Sequence, residues 1–154
     1  MWMKYEHVIR HAAGLGKAAE DHNDPDRYEK THAHCDVLVA GGGACGLMAA
    51  LQAGRSGARV IIADEQNEFG GWLLGESDIF IDDSPALDWI TKIIEELAAM
   101  PNVTMLPRTT VFGYMDSNYL TLNERVTDHL PERPAHLPRQ RLWKCRAKQT
   151  VLAQ

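Results

Sequence analysis

The chain has 154 residues, 45% of them hydrophobic and 24% charged, and a formal net charge of −5. That length and balance suit one globular domain with an ordinary core. The acidic excess argues against nucleic acid or an anionic membrane surface as a partner, and no apolar run reaches the length of a bilayer span. The three cysteines, Cys35, Cys45 and Cys145, form no C-x-x-C or C-x-x-x-x-C pair. This leaves no dithiol or metal-cluster spacing and fits a reducing cytoplasm.

Residues 2–13 are polar and amphipathic, unlike a secretory signal, and place Tyr5, Val8, Ile9 and Ala12 on one helical face. Gly14 and Gly16 can end that helix. Residues 17–34 are polar, carry Asp24-Pro25-Asp26, and read as an arm leading to the first strand. His22, His32 and His34 fall in this arm. A metal site needs further convergent ligands, none stands at suitable spacing, and the three read as solvated loop residues.

The run from Cys35 to Glu65 organises the rest. An apolar strand, Val37 to Ala40, enters Gly41-x-Gly43-x-x-Gly46, an Ala- and Leu-rich helix follows, and a second strand, Arg59 to Ala63, ends on Asp64 and Glu65. This is a dinucleotide-binding βαβ unit with its context intact. Gly41 allows the tight turn, Gly43 lets backbone approach a pyrophosphate, and Gly46 lets the helix lie near the sheet, its free N–H groups facing the phosphates. Asp64 stands where an acid accepts hydrogen bonds from the adenosine ribose. Asp64 and Glu65, with no Arg or Lys before Trp72, disfavour a 2′-phosphate and leave NAD or FAD, which the glycine spacing does not separate. Cys45 is either a thiol activated at the helix N-terminus or a small residue beside the pyrophosphate. With no resolving cysteine in sequence reach, the second reading is favoured. Trp72 either lies against the adenine or caps the core.

Beyond this unit, Gly70-Gly71 lets the chain turn back over the cofactor side of the sheet. Ser84-Pro85 opens a helix with Asp88 in its first turn and a core stripe of Leu87, Ile90, Ile94 and Leu97, ending before Pro101-Asn102. Val103 to Leu106 is a third strand. Thr109 to Met115, Tyr119 to Glu124 and Arg141 to Arg146 follow as three strands, the last two separated by a proline-bearing loop, and Gln149 to Ala153 is a final apolar strand. The expected fold is α/β: a Rossmann-like dinucleotide-binding domain of the flavoprotein or glutathione-reductase type, with a parallel sheet and a β-meander crossover. An N-terminal helix and polar arm (residues 1–34) precede a dinucleotide-binding domain (residues 35–154) that is incomplete at its C-terminus.

Segments along nearly the whole chain are more specific than the glycine motif. They include Tyr5-Glu-His-Val-Ile-Arg, Asp26-Arg-Tyr-Glu-Lys, Pro85-Ala-Leu-Asp-Trp-Ile, Leu106-Pro-Arg-Thr-Thr-Val-Phe-Gly-Tyr, Glu124-Arg-Val-Thr-Asp-His-Leu and Pro138-Arg-Gln-Arg-Leu-Trp-Lys. With them the chain resembles the N-terminal part of the alpha subunits of heterotetrameric sarcosine oxidases. The resemblance implies part of a bacterial flavoenzyme that oxidises sarcosine to glycine with oxygen, releasing formaldehyde or methylene-tetrahydrofolate and hydrogen peroxide. It implies NAD in this chain, FAD and FMN elsewhere in the complex, and beta, gamma and delta subunits plus the rest of the alpha subunit as partners. Carried over by motif position, the NAD contacts are Gly41, Gly43, Cys45, Gly46, Asp64, Glu65, Gln66, Trp72 and Val111. Two departures stand out: the usual Gly-Pro-Ala-Gly turn reads Gly43-Ala44-Cys45-Gly46, and Trp72 stands where a small residue is usual.

The resemblance further implies a truncated chain, with no catalytic residue of its own and no turnover alone. A second reading is a free-standing NAD- or FAD-binding module of a pyridine-nucleotide-dependent oxidoreductase, without activity by itself. A third, a flavin-dependent reductase domain, is weakened by the missing dithiol.

Overall fold

The first helix, α1 (Trp2–Ala12), is followed by Gly14 at φ 70°, a left-handed turn that suits glycine. Its expected apolar face is a finding in itself, since Tyr5, Val8 and Ile9 are all more than half exposed. The computed structural model describes residues 2–14 and 23–153, with the backbone alone at 2–4. Gly16, His22 and the first part of the expected arm lie outside the described residues.

Strand β1 (Tyr28–Ala40) corrects the sequence reading, because residues 28–34 of the expected arm are strand. Their alternation explains why: Lys30, His32 and His34 are exposed, while Thr31 and Ala33 turn inward toward buried Cys35. Polar residues on one face looked like a loop until the partner was known. That partner is the start of β8 (Gln140–Leu152), far away in sequence, which pairs in parallel from Tyr28↔Gln140 to Ala40↔Leu152.

The βαβ unit continues with α2 (Ala44–Arg55) and β2 (Val60–Ala63). A 3₁₀ turn (Gly71–Gly75) and a small hairpin, β3 (Phe80–Ile81) and β4 (Ser84–Pro85), lead to α3 (Ala86–Ala99). Ser84 therefore pairs with Ile81 instead of capping the helix, and Pro85 holds the cap position. The core stripe of α3 is Ala86, Ile90, Ile93 and Leu97: Ile90 and Leu97 are buried as expected, while Ala86 and Ile93 replace exposed Leu87 and half-buried Ile94. Spacings of four, three and four residues keep that stripe on one line of the helix.

Strands β5 (Val103–Leu106), β6 (Thr109–Met115) and β7 (Tyr119–Arg125) complete one six-stranded sheet in the order β5-β2-β1-β8-β7-β6. The third meander strand and the final apolar strand, expected as separate, are the single strand β8. Its first half pairs antiparallel with β7, and its whole length pairs parallel with β1. The chain has a Rossmann-like α/β fold with helices on one face and the meander curled over the other.

Alternation makes the central strands apolar on both faces. Val39 and Ile62 pack with Leu47, Leu51, Ile90 and Leu97 under the helices, whereas Leu38 and Ile61 pack with Leu120 and Leu122 of the meander. Each such fully buried leucine or isoleucine contributes on the order of 2 kcal/mol. Cys35 and Cys145, 110 residues apart, bring their sulfurs to 3.6 Å in the second core. The Cys145 sulfur and burial push the Cys35 thiol far above its ordinary range, so it stays protonated. Among the described residues no helix is long and apolar enough to cross a membrane.

Surface ion pairs set the acid limit of this fold. Lys148, then the Arg59 backbone and guanidinium, hold the Asp36 carboxyl well below the usual carboxylate range, and Arg139 lowers those of Asp26 and Asp128. These groups bind fewer protons folded than unfolded. Their stabilisation is therefore complete above the unfolded pKa of about 4 and is lost as pH falls through the lower folded values. The melting temperature should stay level down to roughly pH 5 and drop below about pH 4. Asp36→Asn should soften that drop, and an unchanged acid limb in thermal melts of the variant would contradict the assignment.

Candidate functional site

The C-terminal ends of β1 and β2, the start of α2 and the first residues of β6 surround a cavity of about 800 Å³. Small-molecule sites span roughly 300–1,000 Å³. Its walls are laid down by the glycine turn. Gly41 has φ 110°, which lets β1 reverse sharply into α2. Gly43 caps the helix, and Leu47 N–H makes the first intrahelical bond, to Gly43 O at 2.9 Å. The N–H groups of Ala44, Cys45 and Gly46 are thus left at the positive end of the helix dipole, with Ala44 and Cys45 on the cavity wall. A Cβ built on Gly43 meets no atom within 4 Å. The space above this turn is open, which suits the close approach of a pyrophosphate.

A second glycine turn is stitched to the first. Gly70 N–H donates to Gly42 O at 2.8 Å, and a Cβ on Gly71 would lie 3.1 Å from Gly43 Cα. Gly70 and Gly71 have φ of 132° and 59°, conformations that admit glycine most readily.

Opposite the helix, Asp64 leaves β2 with each carboxylate oxygen already accepting one bond: Oδ2 from Gly42 N–H and Oδ1 from Gln66 N–H at 2.8 Å. A carboxylate has about four lone-pair sites, so acceptor capacity remains for ligand hydroxyls. The meander closes this end. Thr109 N–H donates to Asp64 O at 2.7 Å. In a strand, residues two apart present their N–H to the same side, so Val111 N–H and C=O also face away from β7. β6 is the last strand of the sheet, and this free edge borders the cavity.

Of the nine residues expected at the site, Gly41, Gly43, Cys45, Asp64, Glu65, Gln66, Trp72 and Val111 line the cavity together. Gly46 does not. It lies beneath, where a side chain would overlap the Gly41 carbonyl and come within 3.4 Å of the Ala153 side chain. Trp72 is 66% exposed and stands on the cavity wall, so it does not cap the core. Residues missed from the sequence include Thr109 and Thr110, which open the meander, and Leu152 and Ala153, at the end of β8 and just past it. Gly42 was missed as well, although the run of three glycines signalled it. A Cβ there would collide with Phe69 and reach Asp64 Cβ at 3.0 Å.

Residues 36–124 match the family model for FAD-dependent oxidoreductases. The chain is 51% identical over 154 residues to sarcosine oxidase subunit alpha of Rhizobium meliloti (strain 1021), covering 99% of this chain and 15% of that protein. It is 47% identical over 142 residues to sarcosine oxidase subunit alpha of Corynebacterium sp. (strain U-96), covering 92% of this chain and 15% of that one. The chain thus spans about 15% of the length of these relatives. Among solved structures, L-proline dehydrogenase from P. horikoshii superposes with a TM-score of 0.61 at 21% identity, over 90% of this chain and 25% of that one, a likeness of fold. The site of the chain is built from the segments these comparisons cover.

Proposed function

Because the chain belongs to the FAD-dependent oxidoreductase family, we propose that it is the dinucleotide-holding portion of a sarcosine oxidase alpha subunit. The observation that carries this is the cavity itself. An open glycine turn and a helix N-terminus stand on one side and Asp64 on the other, in a chain 51% identical to such a subunit. The residues fit an ADP moiety. Gly41, Gly43 and Cys45 take the pyrophosphate, Asp64 and Glu65 the ribose hydroxyls, and Gln66, Trp72 and the edge of Val111 the adenine side. Gly46 supports the turn from below. NAD held here would carry a nicotinamide ring at its far end, away from these residues, which would bind and orient the ADP half.

In this reading the whole enzyme oxidises sarcosine to glycine with oxygen, yielding formaldehyde or methylene-tetrahydrofolate and hydrogen peroxide in the cytoplasm. Beta, gamma and delta subunits and the rest of the alpha subunit would be its partners, with FAD and FMN bound elsewhere. The 154-residue chain alone should not turn over sarcosine. FAD in this cavity is the second reading, favoured by the family match.

Calorimetric titration with NAD and with FAD separates them. NAD binding without FAD binding is expected. Bound NAD should also slow alkylation of exposed Cys45 by iodoacetamide, with buried Cys35 and Cys145 as internal controls. A preference for FAD would overturn the NAD assignment, and binding of neither by a chain with a folded circular dichroism spectrum would overturn the cavity's role.

A further inference from the structure

The loop that carries the ribose-facing acid is gripped from behind by the meander, through three consecutive carbonyls. Asp64 O accepts from Thr109 N–H at 2.7 Å, Glu65 O from Arg125 Nη2 at 2.7 Å, and Gln66 O from Arg108 N–H at 2.8 Å. Two of these donors are backbone. Arg125 alone acts through a side chain, so it alone can be removed without altering the main chain. Its own N–H donates to Arg108 O at 3.0 Å, and Arg108 sits at φ 54°, a left-handed conformation unusual for a non-glycine residue. Such backbone persists where neighbouring contacts over-determine it, and ligand clamps are among the places where it clusters.

With their carbonyls turned toward the meander, Asp64, Glu65 and Gln66 line the cavity, whereas Arg125 does not. We infer that Arg125 is a positioning residue that sets recognition of the adenosine ribose by holding the Asp64–Gln66 loop against the cavity. This rests on the dinucleotide reading above. The guanidinium uses one N–H on this exposed bond and stands outside the cavity lining, so it holds the loop without itself touching the ligand. The loop so held presents the remaining lone pairs of the Asp64 carboxylate to a ribose hydroxyl. Sixty residues separate Arg125 from Glu65, so the pairing has no local signature in the sequence.

The test is a cycle between protein and ligand on the 154-residue chain, using ADP and 2′-deoxy-ADP as probes. The unsubstituted chain should bind ADP roughly tenfold more tightly than the deoxy analogue, the worth of one good hydrogen bond. In Arg125→Ala that ratio should fall toward unity, and Arg125→Lys, whose ammonium can still donate to a carbonyl, should retain part of it. A merely structural role would weaken both ligands alike and leave the ratio intact; that result overturns the inference while sparing the dinucleotide reading. Failure of the unsubstituted chain to bind ADP at all would overturn both.

Discussion

Gly46→Ala is expected to unfold the chain or cost it more than about 3 kcal/mol, the upper end for forcing atoms into a packed site. The added methyl would overlap the Gly41 carbonyl oxygen and lie 2.9 Å from Gly41 C. Both neighbours are backbone, and Gly41 is already committed to a left-handed turn, so relief requires α2 to lift off β1. That movement would open the contact of Leu47, fully buried, with the core beneath the helices. Gly43→Ala is the control. Gly43 has φ −71° and open space where a Cβ would stand, so alanine there should change stability by no more than about 1 kcal/mol. The same substitution places a methyl where the pyrophosphate approaches and should weaken NAD binding about a hundredfold, roughly 2.7 kcal/mol. Urea denaturation and calorimetry together read the contrast. If Gly46→Ala melts like the unsubstituted chain, the proposed packing role of the third glycine is wrong.

Asp64→Ala carries the second large effect, on stability and binding together. The carboxylate links the glycine turn to the loop after β2, and removing it leaves the Gly42 and Gln66 N–H groups without their acceptors. The Gly42 N–H is partly buried, and leaving it unsatisfied costs about 1–3 kcal/mol; the exposed Gln66 N–H can turn to water. Asp64→Asn should fare little better. Its amide supplies one acceptor where two donors converge and turns an NH₂ toward the other. Both variants should lower the urea midpoint and lose most affinity for ADP. Loss of binding at unchanged stability would show that Asp64 acts on the ligand alone.

Parts of this architecture were legible because they rest on neighbours in sequence. The strand–glycine–helix–strand unit, the place of Asp64 at the end of β2, the third strand and the first two meander strands follow from short-range spacing. Seven of the eight expected site residues that share the cavity come from this unit and the loop after it, whereas Val111 was placed by the family resemblance and reaches the cavity only through the fold. Gly46 stands apart because it packs beneath the turn, the role its place in the glycine motif already gave it, although the resemblance also counted it among the contacts.

Two of the four α3 stripe positions, Ile90 and Leu97, are as expected; the other two differ because Ala86 opens the buried line and Ile93 continues it. An alanine carries a weak apolar signal beside the Leu87 that was preferred. Ser84 resembled a cap until the hairpin with Ile81 occupied it.

The sequence by itself determined which local units exist and which end of the parallel strands faces the cavity. A tight turn, a close backbone approach and an acid after a strand are each dictated by residues within thirty positions. Tertiary structure alone decided how far β1 extends, the union of two expected strands into β8, the meeting of Cys35 with Cys145, and the grip of Arg125 on Glu65. Each of these depends on partners sixty or more residues away. Hydrogen bonds between distant segments leave no periodicity in either one, and a strand with one polar face reads as a loop until the neighbour that pairs with it is in place.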